Sequence, residues 1–332
     1  MKKPIIAITM GDASGIGPEL TVKILSTREV YGYCNPFVIG DSNVMEVVSK
    51  LVGKDLHVKA ISDVSEAEFL FSHLDVLCPD GVDIAEIRWG KLDPAMGEAA
   101  ALCLKKAFQL VSEEKVDGVV SAPLNKEAFH RAGYNYVDEL EYLTGITNSP
   151  NTFTMGLVGS VWTVPVTFHV PFRKIADMIK KDRVLRYIRL MDEMLKKIRL
   201  KEPNIAVAAL NVHAGEGGLF GREEIDEIKP AIEEAQKLNI KTQGPFPADT
   251  IFVRATDGEF DGVVCMYHDQ ANIARKLYAK RKGVTLFMGL PAPCGTTAHG
   301  TAFDIAGKGI ANPSSLQSAL KYTAMLCSQK GN

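Results

Sequence analysis

The chain has no stretch of about eighteen consecutive apolar residues, so it offers no candidate for a membrane-spanning helix. Its opening, MKKPIIAITMGD, carries two lysines and a short apolar run, but Gly11 and Asp12 end that run far short of a signal-peptide core. No CxxC pair occurs. The six cysteines, at 34, 78, 103, 265, 294 and 327, are scattered, several in apolar runs such as VVCMY, which reads as reduced thiols and not as a disulfide framework. Neither sign of charge dominates, with 38 Lys and Arg against 40 Asp and Glu, which leaves no basic surface for nucleic acid. Internal repeats, low-complexity segments and Gly/Ser-rich linkers are missing too. These absences leave a soluble cytoplasmic protein as the expectation, with neither a membrane nor a nucleic acid as partner.

What is there is a chain of 332 residues, 46% hydrophobic, longer than a single core normally supports. Two lobes are expected. Short β-rich runs alternate with helical patterns: IIAITM with a helix from Pro18, PFVIG with SNVMEVVSKLV, VDGVVSA with NKEAFHRAG, NIAVAAL with EEIDEIKPAIEEAQKL, and FDGVVCMY with DQANIARKLY. This alternation predicts parallel sheet with crossover helices. Two apolar runs with little between them, TFTMGLVG and VWTVPVTF, predict an antiparallel pair in the second lobe. The last helical pattern, SSLQSALKYTAML, is assigned to the first lobe, giving a discontinuous first domain of residues 1–134 and 284–332 and a second of 135–283.

TMGDASGIGPEL follows a strand and opens a helix, with Pro18 suited to a first helical position. It is either a plain tight turn or a loop presenting N–H groups to an anion. Its glycine spacing is not the dinucleotide fingerprint, and it lacks the P-loop lysine. Of only seven histidines, three end predicted strands: His169 in VTFHVPF, His213 in ALNVHAGEGG and His268 in VCMYHDQ. One such histidine alone would be an ordinary satisfied side chain. Three in equivalent settings point to one divalent cation, because ligands gather at strand ends in open α/β sheets. Asp269 and Gln270 follow His268 as groups able to orient a ligand. Asp249, before the strand-like TIF, is a supporting carboxylate or a turn residue. Lys126 sits at a helix start where its charge opposes the dipole, which favours a role at the site over a plain surface position. Three glycines and one histidine fall within AHGTAFDIAGKGIANP, residues 298–313, a backbone suited to close approach.

Taken together, GDASGIGPE, SAPLNKEAF, NVHAGEGGLFGREE, PADTIF, MYHDQ and AHGTAFDIAGKG resemble the 4-hydroxythreonine-4-phosphate dehydrogenase family of vitamin B6 (pyridoxine) biosynthesis, along nearly the whole chain. The first motif and HGTAFDIAGKGIANP are also similar to the isocitrate and isopropylmalate dehydrogenases. The resemblance implies an α/β fold of two α/β/α lobes with the active site in the cleft between them. It implies NAD or NADP held along residues 299–312, with His299, Gly300, Thr301 and Asn312 as contacts. It further implies one divalent ion, Zn, Mg, Mn or Co, on His169, His213 and His268, in a homodimer with shared active sites. The implied reaction oxidises an alcohol β to a carboxylate and then releases CO₂, a sequence to which a metal contributes as Lewis acid and template.

The sequence departs from the family at the substrate positions. The family's substrate-binding His and Thr fall on Glu139 and Leu140, and its Asn and Arg on Thr285 and Cys294, while its Lys is kept as Lys276. Losing a guanidinium and gaining a carboxylate both weaken a phosphate pocket. The expectation is therefore the family's chemistry on a different acid: a 4-phosphorylated threonate or erythronate, or an unphosphorylated dihydrodiol carboxylate. Lys280, Arg281 and Lys282 could instead restore the missing charge and leave the substrate unchanged. From other classes, a zinc-dependent hydrolase and a non-catalytic metabolite-binding protein stand as alternatives.

Overall fold

The computed structural model describes residues 3–54, 56–198, 200–279 and 283–328. Its strands, in chain order, are β1 (Ile5–Thr9), β2 (Asn35–Ile39), β3 (His57–Ile61), β4 (His73–Leu77), β5 (Gly118–Ser121), β6 (Phe153–Val158), β7 (Val161–Thr167), β8 (Ile205–Ala208), β9 (Thr242–Phe246), β10 (Gly262–Tyr267), β11 (Val284–Met288) and β12 (Cys294–Thr297). They fall into two compact units, residues 1–153 with 284–332, and 154–283. No helix among the described residues is long and apolar enough to cross a membrane.

In the first unit the strand order is β3-β4-β2-β1-β5-β12-β11. All neighbours are parallel except β11 and β12. Central strands such as β1 and β5 are buried on both faces, as crossover helices require, and so read as continuous apolar runs. Asp41, Asp93, Asn125 and Asp138 each begin a helix with a side-chain oxygen accepting backbone N–H groups, satisfying donors the helix cannot. In the second unit the order is β6-β7-β10-β8-β9, with β6 and β7 antiparallel, as their closeness in sequence predicts, and the rest parallel.

Three features differ from the sequence expectation. The second unit begins at Thr154 rather than near Asn135. Residues before that point stay with the first unit because the Tyr142 hydroxyl donates to Ala101 O at 3.0 Å and its ring packs edge-on against Phe129 and Tyr134. The strand-like TIF opens a helix, Ile251–Thr256, because Ile251, Phe252 and Ala255 share one face and join the core of Ala206, Val263 and Cys265. Tertiary packing overrides β propensity there. The third is the 19-residue helix Pro94–Ser112, which the strand and helix alternation did not reveal.

That helix crosses the helix Lys126–Arg131 at Gly97, where a Cβ would lie 2.3 Å from the Ala128 carbonyl and 2.6 Å from Phe129 N. Alanine at an ordinary helical glycine gains about 1 kcal/mol, whereas forcing an extra carbon into closed packing costs about 1–3 kcal/mol. With rigid backbone as the obstacle, the second effect wins. Gly97→Ala should lower the thermal midpoint of unfolding; a raised midpoint would show that the two helices can separate at little cost.

Candidate active site

Three parallel neighbours in the second unit, β7, β10 and β8, deliver the three histidines from their C-terminal ends. Side chains lace those ends together. The Thr167 hydroxyl donates to Met266 O at 2.8 Å, joining β7 to β10. Gln270 accepts from Met266 N at 2.8 Å and donates to Ala209 O at 2.9 Å, joining β10 to β8. Of the two residues after His268, Gln270 thus ties the strands, while Asp269 Oδ1 bonds His268 Nδ1 at 2.6 Å. This bond leaves Nε2 as the imidazole nitrogen free to bind a ligand.

His169 and His268 stand with ring centroids 5.8 Å apart, both packed on Phe168, at a pocket of about 220 Å³ that Tyr267 and Asp269 also line. His213 is not among the lining residues; its Nδ1 lies 3.3 Å from Glu216. Among the described residues no three His, Cys, Asp or Glu side chains converge in a metal-binding group. The donors fit a divalent ion in kind, as imidazoles, with His169 and His268 together at the pocket and His213 apart from them, on the loop after the neighbouring strand. Two of the three sit on left-handed backbone, His169 at φ 39° and His213 at φ 50°. From His213 to Gly218 six residues in succession have positive φ, and His213, Ala214 and Glu216 carry a Cβ. Each such residue costs about 1–2 kcal/mol, a strain that collects at functional sites.

In the first unit the two glycine-rich motifs form one construction. Ile16 N donates to Thr301 O at 3.0 Å, and a Cβ at Gly15 would lie 2.8 Å from Thr301 Cβ. Lys23 Nζ bonds Gly309 O at 2.9 Å, Ala311 O at 2.7 Å and Glu19 Oε1 at 2.7 Å, and that same oxygen accepts from Ala311 N. Gly307, at φ 74°, lies against the Trp89 indole, where a Cβ would come within 2.6 Å. Packing therefore explains Gly15 and Gly307. Gly300 differs: it is exposed and a Cβ there would meet nothing, so its bare backbone faces open space beside His299. Asn312 is exposed and its Oδ1 caps Ser314 N. In the turn after β1, burial raises the Asp12 carboxyl to about 6 against the pull of the Ser14 N–H, and Asp93 raises it further.

The substrate positions divide by exposure. Cys294 and Thr285, on β12 and β11, are buried, at 0% and 8% exposure. Lys276 is exposed on the helix His268–Ala279, Asp249 is exposed ahead of its helix, and Leu140 is half-buried. Residues 280–282 lie outside the described residues. Glu139 begins the helix Glu139–Thr147, and its Oε1 is shielded from solvent without a hydrogen-bond partner. Burial raises its pKa to about 7, opposed by the Ser121 hydroxyl, reinforced by Asp138 and opposed again by Lys126. Its charge in turn helps keep the buried Cys294 thiol protonated. Lys126 also donates to Val137 O at 3.4 Å.

The pKa of Glu139 makes stability depend on pH. A carboxyl raised from 4.5 to about 7 binds its proton more tightly in the folded chain, so its contribution is full below 4.5 and is lost as pH rises through 7. Denaturant titrations should show Glu139→Gln gaining on the parent chain between pH 4.5 and 7 and holding that gain above. A difference that does not vary with pH would remove the buried carboxyl from the account.

A family model described as "Pyridoxal phosphate biosynthetic protein PdxA" matches residues 32–323. A protein of Halalkalibacterium halodurans named "Putative D-threonate 4-phosphate dehydrogenase" is 41% identical over 323 residues, 97% of each chain. Among solved structures, a 4-hydroxythreonine-4-phosphate dehydrogenase from Burkholderia phymatum superposes with TM-score 0.83 at 38% identity, covering 98% of this chain and 99% of that one. A terephthalate 1,2-cis-dihydrodiol dehydrogenase from Burkholderia xenovorans follows at TM-score 0.67 and 25% identity, covering 98% of each. Strand ends bearing three histidines, a glycine-rich segment pinned by Lys23 and Glu19, and likeness along the full length agree: the chain belongs to the PdxA family of dehydrogenases.

Proposed function

We propose that this protein is an NAD(P)-dependent, decarboxylating dehydrogenase whose preferred substrate is a 4-phosphorylated threonate, working as a homodimer with a divalent ion on His169, His213 and His268. The observation that carries the reading is the delivery of three imidazoles from three adjacent parallel strand ends in one unit. Membership of a dehydrogenase family decides against the hydrolase and the non-catalytic binder. The name of the Halalkalibacterium halodurans relative supports the threonate skeleton. So does Glu139: a carboxyl that burial brings near its titration point can, when protonated, donate a hydrogen bond to a hydroxyl, whereas the ammonium group of an amino acid offers no lone pair to accept one.

When bound, the ion supplies a Lewis acid for negative charge on the substrate oxygens, and NAD(P)⁺ supplies the hydride acceptor. The chain's own residues orient and hold. Asp269 fixes the His268 ring, Lys276 offers an exposed point charge for phosphate or carboxylate, and Lys126 keeps a positive charge beside Glu139. Exposed apolar side chains on the second unit support the dimer. Ile273 and Leu277, one helical turn apart, are 59% and 71% exposed, and Leu219 is 73% exposed. A second copy would cover them.

Substrate preference is read from kcat/KM with added divalent ion, following NAD(P)H. D-Threonate 4-phosphate should reach about 10⁴ M⁻¹ s⁻¹ or more, ahead of 4-phosphohydroxythreonine and of unphosphorylated acids. A higher value for 4-phosphohydroxythreonine would overturn the choice of substrate while leaving the reaction type in place. For the cofactor segment, Gly300→Val should raise the dissociation constant for NAD(P)⁺ and leave metal binding unchanged; normal cofactor affinity in the folded variant would move the dinucleotide elsewhere.

A further inference from the structure

The loop that carries His213 holds a costly left-handed backbone. Besides the bonds within residues 212–218, the stretch is closed by Ala214 N to Asn211 O, Leu219 N to Glu216 O and Phe220 N to Gly215 O, and its backbone is left-handed for six residues. Such a conformation persists only where the surroundings enforce it. One buried side chain braces its entry. Glu224, 3% exposed, accepts from Leu210 N at 2.8 Å and from Asn211 N at 2.7 Å through Oε1, and from Asn211 Nδ2 at 2.9 Å through Oε2. Two glycines let the loop close on this carboxylate: a Cβ at Gly215 would lie 2.7 Å from Glu224 Oε2, and one at Gly221 would lie 2.4 Å from Asn211 Nδ2. Behind it the chain turns through a single π-helical segment, Glu224–Ile228, a rare geometry often found at functional sites.

We infer that Glu224 is a positioning residue: its carboxylate fixes the backbone at Leu210 and Asn211, holds residues 213–218 in their left-handed course, and so sets where the His213 imidazole stands. This deepens the reading of His213 as a metal donor and rests on it. Glu224 touches neither substrate nor cofactor in this role; it acts through the loop. A carboxylate suits the task because one group can accept three donors at once, which a neutral amide of the same size cannot do without turning a donor toward Asn211.

The test uses Glu224→Gln, Glu224→Asp and His213→Ala in the full chain. It reads amide hydrogen exchange at residues 210 and 211 without metal, and Co²⁺ affinity by calorimetry. Glu224→Gln should speed exchange at both amides and weaken Co²⁺ binding by about 10- to 100-fold, the range for groups that orient metal ligands, with NAD(P)⁺ affinity unchanged. A merely structural role would loosen the fold without separating metal affinity from cofactor affinity. If Glu224→Gln does not fold, Glu224→Asp, which keeps the charge but withdraws it by one methylene, is read in the same way. Unchanged exchange or unchanged Co²⁺ affinity, with affinity lost in His213→Ala, would overturn the inference and leave the metal reading standing. Unchanged Co²⁺ affinity in His213→Ala would overturn both.

Discussion

A parallel sheet runs out of partners at the ends of its strands, and each backbone group left there needs another bond. In the second unit Thr167 and Gln270 provide these bonds across β7, β10 and β8, fixing three neighbouring ends against one another. Everything the histidines can do depends on that fixation. His169 follows β7 by two residues and His268 follows β10 directly, so each ring is placed by a strand end that cannot shift independently of its neighbour. His213 comes five residues after β8, too far for the strand alone to place it. The left-handed loop and the Glu224 carboxylate bridge this gap.

The first unit works by close backbone approach. Its two glycine-rich motifs look alike in sequence, yet the glycines serve different ends. Gly15 lets the turn after β1 meet Thr301, Gly307 makes room for Trp89, and Gly300 alone is bare toward open space. Lys23 and Glu19, an ion pair one helical turn apart, then tie the later part of the segment through its carbonyls and an N–H. The result is a rigid frame with one exposed stretch of backbone.

The buried carboxyls contrast. Glu224 has three donors and no shielded oxygen left over, so it stabilises the loop it holds. Asp12 and Glu139 each keep one buried oxygen without a partner, and burial lifts both pKa values toward neutrality. A group held near its titration point inside a fold costs stability, and such groups concentrate where chemistry or recognition needs them. Both carboxyls belong to the unit that carries the glycine-rich segment 298–313.

The sequence by itself determined the α/β class, the antiparallel pair β6 and β7, the three histidines at strand ends and the family, because periodicity, strand-end position and motif are local properties of the chain. Strand β3 escaped it: as an edge strand with half-exposed residues, HVKAI carries no apolar run to notice. TIF misled, because the partners that make it helical lie far away in the chain. Glu224 read as one more acid in a charged helix, since nothing local marks a carboxylate that will be buried against Leu210 and Asn211, fourteen and thirteen residues earlier. Which glycines serve packing and which face outward, where the second unit begins, and which carboxyls lose their water were all decided by the tertiary structure, because each depends on atoms brought together from distant parts of the chain.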